Sequence, residues 1–178
     1  MNTIQSLQHF EELTNTYLDE LKGFSMEQLT RQPNENEWSL GQMYLHLIGS
    51  ALFMQIRNIE ECMTQDADTA SNIEGKTEAG EAIFKQAGFP PIRIQVPPSP
   101  QYTPQQPRDK EQIADGLKSV LHRMKEIEPT LDKASMRHTV AHPRFGGVNA
   151  KEWFVLVEMH YRHHLLQQDR LIKFLESN

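Results

Sequence analysis

The chain has 178 residues, a single cysteine (Cys62) and a net charge of −6 with histidine neutral. The length suits one domain spanning residues 1–178 and is enough to bury a full core. The acidic balance argues against a nucleic-acid or anionic-membrane binder, and the lone cysteine excludes an internal disulfide and a cysteine-based metal site. No secretory leader pattern opens the sequence and no apolar run approaches the ~18 residues of a membrane span, so a soluble cytoplasmic protein is expected.

Taken in order, the first stretch reads as a helix. Leu7, Phe10, Tyr17, Leu18 and Leu21 recur at steps of three and four, and Gly23 is a natural stop. A short extra turn follows in "SMEQLTRQP", ended by Pro33. Ser39 with Gln42 fits a capping box, so a second long helix is predicted from there past Ile59. Gly41 and Gly49 weaken it unless a neighbour packs closely at those points. "TQDADTASNIEGKTEAGE" is polar and irregular, and "EAGEAIFKQAGF" suits a short helix. The segment 89–108 carries seven of the ten prolines, so it is expected to be an extended excursion over the surface and not a domain boundary. A third long helix is predicted from Asp109, with Ile113, Leu117, Val120, Leu121, Met124 and Ile127 as its apolar stripe and Pro129 beyond. "MRHTVAHPRFGGVN" reads as a loop. Asn149 with Glu152 can cap a last helix running to about Leu175. Four long helices and almost no strand pattern predict an all-α four-helix bundle with long connections.

The histidines are the chemistry of this sequence. On the last helix, Trp153, Leu156, Val157, Leu171, Phe174 and Leu175 define an apolar face, and His160 falls near its centre. His164 lies one turn later on that face, His163 nearer its edge, and Arg162 points away. An i, i+4 pair lets two ring nitrogens converge on one ion, although i, i+3 through His163 is an alternative. On the second helix His46 can also look inward. A hydrogen-bonded core histidine is the commoner fate of such a residue. Three imidazoles, if they meet, suit zinc, nickel or iron and leave a coordination position open. His9, His122 and His138 read as surface or loop residues. His142 precedes the last helix and could reach the site, but a turn role is expected. Trp153 reads as core, and Trp38 as packing where the second helix begins, with a pocket wall as the second reading.

"EWSLGQMYLHLIGS" resembles the Trp-Ser followed by a helical histidine of DinB-like (DinB/YfiT-type) metalloproteins. "HPRFGGVNAKEWFVLVEMHYRHHLLQQDRL" is similar to their second motif, a His-Pro and Gly loop leading into Glu-Trp and then His-x-x-x-His-x-x-Gln. The resemblance implies a four-helix bundle, often dimeric. It implies metal ligation by His46, His160 and His164, with Gln167 at the family's glutamine. The ion expected is divalent, zinc or nickel foremost. Related proteins include transferases and isomerases dependent on low-molecular-weight thiols, and members proposed to be hydrolases. The expected function is thus a metal-dependent transferase or hydrolase acting on a small molecule, with a low-molecular-weight thiol as a candidate co-substrate. A non-catalytic metal- or ligand-binding bundle is the alternative. Two departures stand out: the long proline-rich segment, and Tyr161 where many relatives carry glutamate after the first ligand of the last helix. No zincin motif, Gly-x-Ser-x-Gly elbow or P-loop is present, and no catalytic base is singled out.

Overall fold

Apolar residues at helical spacing dictate most of this architecture, and the computed structural model describes residues 2–64, 75–92 and 103–177. Helix α1 (Thr3–Lys22) begins where the Asn2 side chain accepts from the Gln5 N–H and buries Phe10, Thr14, Tyr17 and Leu21. The short α2 (Met26–Thr30) has a complete capping box at Ser25 and Gln28. Helix α3 (Leu40–Ser50) starts on the box made by Ser39 and Gln42. It runs through a π-helical turn, Ala51–Gln55, into α4 (Ile56–Thr64), so the predicted second helix is one rod with a widened turn inside it. Helix α5 (Glu78–Gln86) is the short helix expected there, ended by Ala87 in the left-handed region at φ 49°. Helix α6 (Lys110–Ile127) is capped by Asp109, and a 3₁₀ turn over Glu128–Lys133 prolongs it past Pro129. Helix α7 (Ala150–Glu176) closes the chain behind the capping box of Asn149 and Glu152.

Helix α1 packs against α6 and α7, and α3 packs against the same two, which closes a four-helix ring. Helix α4 also lies on α7. The first half of α7 is therefore walled in on nearly every side, and Trp153, Phe154, Val157 and Tyr161 have no exposed surface. Tyr17 donates to the Tyr161 carbonyl oxygen at 2.8 Å, and Gln168 donates to the Tyr44 hydroxyl at 3.0 Å, so polar ties cross the core where aromatic rings meet. Among the described residues no helix is long and apolar enough to cross a membrane. Cys62 is buried, 1% exposed, and burial pushes its thiol up to about 11.

Two expectations need correction. The stretch read as a loop holds a small antiparallel hairpin, β1 (Thr139–His142) with β2 (Gly146–Asn149), paired from Thr139–Asn149 to His142–Gly146. Its four-residue strands are too short to show alternation. Part of its support comes from far along the chain, since Gly147 donates to the Gly75 carbonyl at 3.3 Å. Second, the two glycines of the second helix differ. A Cβ on Gly41 would lie 2.8 Å from the Leu29 carbonyl oxygen and against Pro107, so close packing explains it. At Gly49 the nearest such atom is 3.9 Å away and no neighbour demands a glycine. Of the proline-rich segment, residues 93–102 lie outside the described residues. Its described end reaches α3, where Gln42 Nε2 donates to the Pro104 carbonyl at 2.7 Å and Pro107 is buried.

Candidate metal centre

Helix α3 carries His46 and α7 carries His160 and His164, and because α3 lies against α7 the three rings meet. His46 Nε2 stands 3.2 Å from His160 Nε2, and His164 Nε2 stands 3.1 Å from the same atom. The i, i+4 reading of the last helix is thus the one whose rings converge. His163 is half-buried and turns to Phe89, with ring centroids 5.5 Å apart.

The protonation of these rings follows from their surroundings. Gln167 Oε1 can only accept, so the 2.8 Å contact fixes a proton on His164 Nδ1 and leaves the Nε2 lone pair facing the other rings. Burial lowers the pKa of His46 to about 4 and, with the neighbouring His46 adding to it, that of His164 to about 3. His160 is lowered too, first by burial and then by the other imidazoles. Neutral rings are the state of this cluster. Nε2 lone pairs that face one another without enough protons between them call for a cation. Two nitrogens bound at about 2.0–2.1 Å to one tetrahedral zinc stand roughly 3.3–3.4 Å apart. The observed separations are close to that, so the residues present fit a divalent ion. Polar support of the rings is partial: His164 has Gln167, whereas His160 Nδ1 is buried with no partner among the described residues.

The cluster opens onto a cavity of about 690 Å³. Trp38 forms one wall, its ring 4.8 Å from that of His46, so the second reading of this residue holds as well as the first. Phe89 and Pro90, from the described start of the proline-rich segment, form another wall. The hairpin supplies His142 and Phe145, stacked with centroids 4.1 Å apart. His142 also has the expected turn role, since its Nδ1 accepts from the Arg144 N–H at 3.1 Å. Gln55, from the π turn, completes the inner wall. Sequence spacing gave no sign of Gln55 or Phe145, because no periodicity marks a π turn or a four-residue hairpin. Tyr161 is not part of this lining. It packs into the core against Phe10 at 4.9 Å and Tyr17 at 6.0 Å. Arg162, which points away from the apolar face as expected, is salt-bridged to Glu158 at 2.7 Å and also donates to the Ala87 carbonyl at 2.6 Å.

An all-α bundle with three histidines gathered from two facing helices at the floor of an open cavity defines a class of candidate metalloprotein. The family model of the DinB superfamily matches residues 9–168, and the chain belongs to that superfamily. No curated protein and no solved structure matches the chain.

Proposed function

We propose that His46, His160 and His164 hold a divalent metal ion, zinc or nickel, and that the protein is a metal-dependent enzyme acting on a small molecule in the adjoining cavity. The observation that carries this reading is the convergence of the three Nε2 atoms, at 3.1 and 3.2 Å, on the floor of an open cavity. When bound, such an ion supplies Lewis acidity and acidifies a water or thiol within its reach. The reaction class proposed is transfer to or from a low-molecular-weight thiol, with hydrolysis as the other member of the class. The protein's own residues act around it. Gln167 holds the proton on His164 Nδ1 and so keeps the opposite nitrogen free. Trp38, Phe89 and Phe145 give the cavity apolar surface beside the rings, against which the apolar part of a substrate can pack. A closed, purely structural site would be sealed by side chains; the open cavity favours catalysis over a bundle that only stores or senses metal. The proposal includes a cytoplasmic setting and, from the likeness to the family, a homodimer, which sedimentation would test against a monomer.

The deciding experiment is elemental analysis of the purified protein, followed by a screen of the zinc- and nickel-loaded forms. Bacillithiol-, mycothiol- and glutathione-type thiols would be offered with electrophiles, and ester or amide substrates without them. About one metal per chain and turnover dependent on that metal are expected. Absence of metal from protein offered zinc or nickel would overturn the reading.

A further inference from the structure

The chain as a whole is acidic, with a net charge of −6, yet the cavity is not. Among the described residues its lining holds two cations, Arg144 and Arg170, and one carboxylate, Glu37. Glu37 faces Arg170 at 3.7 Å, so those two charges offset each other. The imidazoles of the lining are held neutral, since burial is the largest cause of the lowered pKa of His46, His142, His160, His163 and His164 alike. Arg144 is the charge left over.

Arg144 is exposed, and among the described residues no hydrogen bond or ion pair engages its guanidinium. A lone exposed arginine is ordinary; this one stands on a fixed base. It lies in the turn of the hairpin, and its carbonyl accepts from Thr77 Oγ1 at 2.7 Å. Its N–H donates to His142 Nδ1 at 3.1 Å, and the Phe145 carbonyl accepts from the Thr77 N–H at 3.0 Å. A Cβ on Gly80 would lie 2.3 Å from that same Phe145 oxygen, so α5 seats directly on the turn. The backbone is thus pinned around Arg144 while the charged end is not. That charge is felt in the cavity wall: after burial, it is the second cause that lowers the pKa of His142, to about 4. His142 stacks on Phe145, and the Phe145 ring is 5.8 Å from that of Phe89. A cation therefore stands beside apolar rings at the cavity.

We propose that Arg144 is the specificity-determining residue of the cavity, and that the molecule it selects is a small organic anion, a carboxylate with an apolar body. The carboxylate pairs with the Arg144 guanidinium, whose planar fork matches it. The apolar body packs on Phe89 and Phe145. This rests on the reading of the cavity as the substrate pocket and adds the charge of the substrate. It does not need the metal, because the cation belongs to the hairpin.

The test uses two probes of the same shape and different charge, 3-phenylpropionate and 3-phenylpropionamide. They are titrated by NMR, near neutral pH, into zinc-loaded and metal-free protein. Wild type should bind the carboxylate about fivefold or more tightly than the amide in both forms. A metal ion attracts carboxylates as well, so the metal-free protein isolates the contribution of Arg144. There Arg144→Gln should remove the preference and Arg144→Glu should reverse it. Both should keep the Tm and zinc uptake of wild type, since the contacts of the turn are made by its backbone. Equal affinities in metal-free wild type, no binding of the carboxylate, or a preference that survives either substitution in metal-free protein would overturn the subsite. So would an Arg144→Gln protein that melts lower or fails to fold, since Arg144 would then be structural. Zinc content separates the two readings. A protein that takes up no zinc yet prefers the carboxylate through Arg144 sinks the metal reading and leaves the subsite standing. A protein that takes up zinc but shows no preference when metal-free does the reverse.

Discussion

His163 and His164 are chain neighbours with different surroundings, and that difference can be measured. His164 Nε2 faces His160 at 3.1 Å, while His163 faces Phe89. Replacing His160 or His164 by alanine is expected to abolish tight metal binding, His46→Ala to weaken it severely, and His163→Ala to leave the stoichiometry near wild type. Metal content after dialysis, across the four variants, checks this. Loss in His163→Ala with retention in His164→Ala would reverse the assignment. Helical period made the face that His160 and His164 share with Trp153 and Leu171 legible, but spacing left the i, i+3 alternative through His163 open, and it was the resemblance to the DinB-like motifs that singled out His46, His160 and His164. What spacing could not give was the polar surround. The partner of His164 Nδ1 is Gln167, three residues on and so readable. The wall residues Gln55, His142 and Phe145 arrive from other elements, at places set by tertiary packing.

The elements that could be read were those whose ends are fixed locally. Ser39 with Gln42 and Asn149 with Glu152 both form the reciprocal pairs their spacing predicts. The Asn149 box has a further task, because Glu152 also pairs with Lys76 at 2.8 Å and so ties the start of α7 to the residues before α5. Asn149→Ala removes the acceptor now 3.1 Å from the Glu152 N–H. Its expected cost is about 1 kcal/mol, the usual loss for such a cap. For a chain of this length that is a fall in Tm of about 2–4 °C, measurable by scanning calorimetry. An unchanged midpoint would mean that the buried surroundings of Asn149, and not its side chain, hold this end of the helix. The hairpin and the π turn were not readable for the converse reason. Gly146 lies at φ 73° with Gly75 and Thr77 pressed against it, and in the π turn the run Ala51–Gln55 has no capping or breaking residue to announce a change of pitch. The hairpin leans on distant chain, the π turn has no local signal, and both contribute residues to the cavity lining.

At the scale of the whole molecule, the cluster at the cavity floor makes stability depend on pH. His46 titrates at about 4, His164 at about 3 and the wall residue His142 at about 4, against 6.5 when unfolded, with burial the largest cause in each case. Above about 6.5 these groups are neutral in both states and contribute no pH dependence. Between 6.5 and 4 the unfolded chain takes up protons that the folded one refuses, so the unfolded state is favoured as pH falls through that window. A bound ion adds to the same trend. It requires unprotonated Nε2 atoms, so protons compete with it, and it stabilises only the state that assembles the site. The expected outcome is a Tm that falls from pH 7 to pH 4.5 in metal-free protein, and falls further over the same interval in protein saturated with zinc at pH 7. Adding a chelator at pH 7 should lower Tm, whereas at pH 4.5 it should change Tm little, because the ion has already been displaced. Calorimetric scans at the two pH values, with and without zinc, check both signs. A metal-free Tm that stays level or rises toward pH 4.5 would mean that the imidazoles are not held neutral by the fold. A chelator effect as large at pH 4.5 as at pH 7 would mean that the ion is bound by groups other than these histidines.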